Sequence, residues 1–145
     1  MSFAAEDFCF YCFSDFRVFE KILNRFFFRY FFLIPFEEHI FFFQEPPTYQ
    51  DEAVAQFLRQ DGVANQLLAL RDRLRALSAF DTAAVEEATR AFIAERQLPS
   101  KALIHPVRVA VTGRSVSPPL FETMSILGKD HVLSRLEYAA TKLAQ

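Results

Sequence analysis

Apolar residues recur along this chain at helical intervals. Phe16, Phe19, Leu23, Phe26, Tyr30 and Leu33 step by three and four, and Pro35 closes the run. Phe27, Phe28, Phe31 and Phe32 widen the apolar surface beyond one stripe, so this predicted helix needs cover on most of its sides. Gln44, Glu45, Pro46 and Pro47 make the clearest break, which divides the chain into residues 1–43 and residues 44–145. Beyond it, Val54, Phe57 and Leu58 predict a short helix that Asp61 and Gly62 end. Val63, Leu67, Leu70, Leu74 and Leu77 predict a long amphipathic helix, with Arg71, Arg73 and Arg75 on its wet side. Asp81 or Thr82 is expected to cap the next helix, and Glu86 and Glu87 fall early in it, where negative charge suits the dipole. Val85, Ala88 and Phe92 form its buried line, and Leu98 and Pro99 end it. Val132, Leu136, Ala139 and Leu143 mark a C-terminal helix.

Residues 103–128 are harder to read. Val107, Val109 and Val111 alternate with Arg108 and Ala110, as in a strand; Leu103, Val107 and Ala110 fit a helix equally well. A turn follows at Gly113, Arg114, Ser115 and Val116. Ser117 then reads as an N-cap and Pro118 as the first helical residue. Leu120, Met124 and Leu127 give one face of a short helix, and Gly128 suits a left-handed residue at its end.

Composition adds two facts. Residues 1–43 hold 15 of the 19 phenylalanines, a bias that predicts self-association of an isolated chain through exposed apolar surface. The helix there is not a membrane span. Arg25, Arg29, Glu37 and Glu38 interrupt it, and the longest uncharged run is far shorter than the ~20 residues a span needs. No secretory leader is expected, because Glu6 and Asp7 precede the apolar part. Burial against the rest of the chain or a partner domain is one reading, and a helix lying on a membrane surface is another. The second fact is charge. The chain carries −2, yet residues 101–145 hold six Lys/Arg against three Asp/Glu. That asymmetry permits a phosphate-facing surface without requiring one.

No catalytic constellation is visible. There is no glycine-rich phosphate loop and no serine or cysteine in a nucleophile motif. Cys9 and Cys12 form one Cys-x-x-Cys, but no second pair completes a zinc site, and His39, His105 and His131 are scattered. Two structural thiols in a reducing cytoplasm, no metal and no cofactor are the expectations.

The string HPVRVAVTGRSVSPPLFETMSILGKDHVLSRL resembles the C-terminal signature of bacterial-type glutamyl-tRNA synthetases. The motif elements are Arg108, Thr112 with Gly113, Ser117 with Pro118, Leu120 with Phe121 and Glu122, and Leu127 with Gly128 and Lys129. The resemblance covers roughly residues 38–145, the anticodon-binding domain, and leaves the Phe-rich segment unexplained. It implies an all-α helical bundle of the class I synthetase type, with helix at the ambiguous valines. It also implies that Arg108, Ser117, Pro118, Leu120 and Phe121 line a tRNA-binding anticodon pocket. The family's HIGH-like and KMSKS-like ATP motifs are absent, so the implied role is binding of tRNA, with glutamate tRNA the expected partner, in the cytoplasm. Catalysis would then come from a separate domain or chain. One departure stands out: Pro119 replaces the family's usual glycine and removes an N–H. That change keeps open an alternative, a helical protein–protein module that no longer binds RNA.

Overall fold

The computed structural model describes residues 46–144. The expectations for the Phe-rich helix and the cysteine pair lie outside the described residues. A strap, residues 46–50, leads into α1 (Asp51–Ala53), which runs straight into a π-helical turn, π1 (Val54–Leu58). Then come α2 (Val63–Arg75), α3 (Thr82–Glu95), α4 (Ser100–Thr112), α5 (Leu120–Leu127) and α6 (Lys129–Tyr138). The last helix continues into a second π-helical turn, π2 (Ala139–Leu143). Among the described residues there is no strand, and the domain is all-α.

The stripes read from sequence become the core. Val63, Leu67, Leu70 and Leu74 turn inward from α2, and Val85, Ala88, Thr89, Phe92 and Ile93 from α3. Helix α2 lies along α6 and π2, α3 packs on α5, and α4 packs on both α6 and π1. Leu67, Leu70, Leu103, Val107, Met124 and Leu136 meet there with no exposed surface. Burying a side chain of this size stabilises by roughly 1.5–3 kcal/mol each, so six of them outweigh any surface ion pair in the domain. Asp81 caps α3, its carboxylate accepting from the Ala84 N–H at 2.8 Å.

The ambiguous valines are helical. Leu103, Pro106, Val107, Val109, Ala110 and Val111 are all buried, so both candidate periodicities hit the core, and the helix is covered on most of its circumference. Pro106 sits inside it; the missing N–H would cost about 3 kcal/mol in an isolated helix, and here the ring is buried in tertiary packing.

Two local expectations are corrected. Arg71 is not on the wet side of α2: its side chain is 15% exposed and reaches Glu137 on α6 at 3.3 Å. Ser117 does not cap α5: the helix begins at Leu120, with Pro119 at the N-cap position and no side-chain cap. A residue followed by proline is pushed out of the helical region, so Pro119 denies Pro118 the first helical position and moves the start two residues on.

Candidate functional site: the C-terminal end of α4 and the loop that follows

The last carbonyls of an α-helix have no partner within the helix. At the end of α4 they find partners from elsewhere in the chain. The Gly113 N–H returns to the Val109 carbonyl at 2.8 Å, with Gly113 left-handed at φ +77°. The Tyr49 hydroxyl donates to the Ala110 carbonyl at 3.0 Å. Arg135 of α6 donates from Nη1 to the Val111 carbonyl at 2.7 Å. The Gln50 N–H donates to the Gly113 carbonyl at 2.9 Å. So the strap, α6 and the loop of residues 113–119 all converge on one helix end. Arg135 is 1% exposed, and a positive charge at a helix C-terminus suits the dipole.

Arg108 lies one turn before that end, half-buried. Its Nη1 donates to the Ser117 carbonyl at 3.1 Å, the Ser117 Oγ at 2.6 Å and the Pro118 carbonyl at 3.1 Å. The Ser117 hydroxyl in turn donates to the Pro118 carbonyl at 3.1 Å. Among the described residues every hydrogen bond of the Arg108 side chain runs through this one nitrogen, and Nε and Nη2 make none. A guanidinium carries five N–H donors, so most of its hydrogen-bonding capacity remains. Burial pulls the Arg108 pKa below its ordinary value, and the group stays protonated at neutral pH.

Of the five residues singled out from sequence, the structure joins three directly: Arg108, Ser117 and Pro118. Leu120 is 4% exposed and its side chain belongs to the core, while Phe121 is half-buried at the first turn of α5. The first N–H groups of α5, those of Leu120, Phe121 and Glu122, receive no side-chain cap. Pro119 therefore removes an N–H at the N-cap position and leaves these donors intact. Val116 projects from the loop, 83% exposed.

Sequence reasoning missed Tyr49, Gln50 and Arg135. For Arg135 a signal existed: it stands three residues after Val132 and one before Leu136, on the buried stripe of α6. For Tyr49 a faint upstream continuation of the family resemblance marks the position, but nothing in the sequence names its partner, which is 61 residues away.

An all-α bundle whose loop and helix start converge on a half-buried arginine defines a class, helical domains that present N–H donors at one end. The chain belongs to the anticodon-binding domain family, whose model matches residues 19–140. Similar proteins include several glutamate–tRNA ligases. That of Caldanaerobacter subterraneus subsp. tengcongensis is 34% identical over 99 residues, covering 68% of this chain and 21% of that protein. That of Moorella thermoacetica is 36% identical over 100 residues, covering 69% and 20%. That of Mycolicibacterium vanbaalenii is 43% identical over 91 residues, covering 62% and 18%. The chain thus spans about a fifth of the length of these curated relatives. A solved glutamate tRNA ligase from Elizabethkingia meningosepticum, in complex with its amino acid, shares the fold with a TM-score of 0.68 at 20% identity. The alignment covers 74% of this chain and 21% of that one. Among the described residues no helix is long and apolar enough to cross a membrane.

Proposed function

We propose that this chain is the tRNA-binding part of a glutamate–tRNA ligase, acting in the cytoplasm, and that it reads the anticodon at the site just described. The observation that carries the reading is the junction of Arg108 with Ser117 and Pro118 at the uncapped start of α5. Unpaired bases are read on their edges by forked donors and backbone N–H groups, with flat side chains available for stacking. Arg108 supplies the fork through Nε and Nη2. Leu120 and Phe121 supply backbone N–H groups, and the Phe121 ring and Pro118 supply flat apolar surface. Ser117 holds the fork in place. The boundary before residue 44 separates this domain from the Phe-rich segment. Ligation is supplied by a separate catalytic domain or chain.

The alternative, a protein–protein module without RNA binding, draws its support from Pro119 and from the net-acidic first hundred residues; the part that rests on Pro119 weakens, because the donors of α5 survive that residue. The test is a gel shift against glutamate tRNA and an anticodon-swapped tRNA across a salt series. Arg108→Ala should weaken binding to glutamate tRNA by about 1–3 kcal/mol and to the swapped tRNA much less. Equal losses on both would make Arg108 a phosphate contact, with a salt slope flatter by about one unit. No binding by the unmutated chain at low salt would remove the reading and favour the module.

A further inference from the structure

Thr112 is fully buried and polar, and its hydroxyl is hydrogen-bonded on both sides. Its Oγ1 donates to the Arg108 carbonyl at 2.8 Å, with the Arg114 carbonyl a second acceptor at 3.2 Å. The same oxygen accepts the Arg114 N–H at 3.3 Å. A hydroxyl has one proton to give and lone pairs to receive, so both its faces are engaged. Were α4 to continue, the Arg114 N–H would bond the Ala110 carbonyl. Gly113 turns the chain left-handed instead, and Tyr49 takes that carbonyl. The Thr112 hydroxyl stands in for the lost helical acceptor.

A closed ring results. The loop begins at Arg114, tied through Thr112 to the Arg108 carbonyl. It ends at Ser117 and Pro118, tied to the Arg108 guanidinium. Only Ser115 and Val116 lie between the two ties; Val116 is exposed and Ser115 is half-buried. Both ends of the loop are thus referenced to one residue. A loop ordered beforehand does not lose that freedom when it meets a ligand, so its geometry is set before the encounter.

We propose that Thr112 is a positioning residue for the RNA site: its hydroxyl fixes the loop to Arg108 and so sets how sharply Arg108 discriminates between bases. The proposal rests on the anticodon-binding reading above. Two variants test it. Thr112→Val removes the hydroxyl and keeps the shape, and Thr112→Ser keeps the hydroxyl.

The first measurement needs no RNA. Amide hydrogen exchange at Arg114 should accelerate by about fivefold in T112V, the worth of one net hydrogen bond, and return to the parent rate in T112S. An unchanged Arg114 amide in T112V overturns the proposal whether or not the chain binds RNA. The second measurement is the ratio of affinities for glutamate tRNA and the anticodon-swapped tRNA. T112V should lower that ratio by about fivefold with an unchanged salt slope, and T112S should restore it. A ratio unchanged in T112V, with the Arg114 amide loosened, assigns Thr112 to local stability alone and overturns the positioning role. Failure of the unmutated chain to bind either tRNA overturns the function proposed above and removes this role with it. The Arg114 amide result would still report whether the loop is held as described.

Discussion

At the C-terminal end of α4, Arg135 is buried and donates to the Val111 carbonyl. On the outer face of α2, Arg73 lies partly in water and makes a bidentate contact with Glu95 on α3, its Nη2 at 2.8 Å from the carboxylate. The same residue type does opposite work in the two places. In water the pair gains modest Coulomb energy, loses side-chain entropy and is screened by salt. In the interior an arginine bonded to a helix carbonyl cannot be withdrawn without stranding that carbonyl away from solvent. The two regions also share a second device, a glycine with positive φ. Gly62 precedes α2 at φ +82° with open space around it, and Gly113 ends α4 at φ +77° against the strap. What a residue contributes here is decided by what closes over it, not by its type.

The largest effect expected from breaking this contrast comes from the glycines. A Cβ on Gly113 would stand 2.2 Å from the Thr48 carbonyl oxygen and 3.0 Å from its carbon, and backbone cannot swing aside as a side chain can. Gly113→Ala should cost about 3 kcal/mol or more, combining left-handed strain with the displaced strap. Gly62→Ala carries the strain alone and should cost about 1–2 kcal/mol. Urea midpoints at constant slope measure both, and near-equal losses would show that the strap does not matter to Gly113.

Next is the buried arginine. Arg135→Met keeps much of the volume and leaves the Val111 carbonyl without its charged donor. It should cost about 2–3 kcal/mol, read as a lowered thermal midpoint. A loss below about 0.5 kcal/mol would put Arg135 in the same category as a surface charge.

The smallest effect sharpens the comparison from the wet side. The hydrogen bond from Arg73 holds the Glu95 carboxyl below the usual carboxylate range. A carboxyl lowered in the folded state adds stability that is present above its unfolded pKa and is lost as pH falls through the folded one. Glu95 is exposed, so Glu95→Gln should leave the thermal midpoint at neutral pH almost unchanged. Whatever gap exists should close as the pH drops below the ordinary carboxylate range, and also as salt is added. A gap that grows in acid would reverse the assignment.

These regions also separate what could be read from the chain. The stripes of α2, α3 and α6 were legible because each is an amphipathic helix with one wet face, and period 3.6 shows only when a wet face exists. Helix α4 was not legible from spacing, because it is buried on most sides and its valines satisfy strand and helix alike. The resemblance to the synthetase family decided it. Arg108, Ser117 and Pro118 were found as a group because the motif carries them together. Their mutual geometry was misread, since Ser117 as a cap assumed that Pro118 could be helical with a proline behind it. Arg71 was misassigned for a related reason: position on a helix face says little when a second helix, α6, comes to cover that face. Tyr49 and Gln50 were out of reach, because their partners lie across most of the domain in sequence.

That last separation has a kinetic consequence. The hydrogen bond from Tyr49 to Ala110 spans 61 residues, and closing so long a loop costs chain entropy that local helix pairs avoid. The strap is therefore expected to seat late, after the helices between have found one another, and its contacts should be largely unmade at the folding barrier. Tyr49→Phe would then hasten unfolding and leave the rate of folding nearly untouched, the behaviour of an interaction formed on the native side of the transition state. In stopped-flow traces only the unfolding arm should move; a shift confined to the folding arm would mean that the strap is seated early. The tie across the end of α4 would act as a latch on the finished domain, setting how long it stays folded rather than how fast it forms.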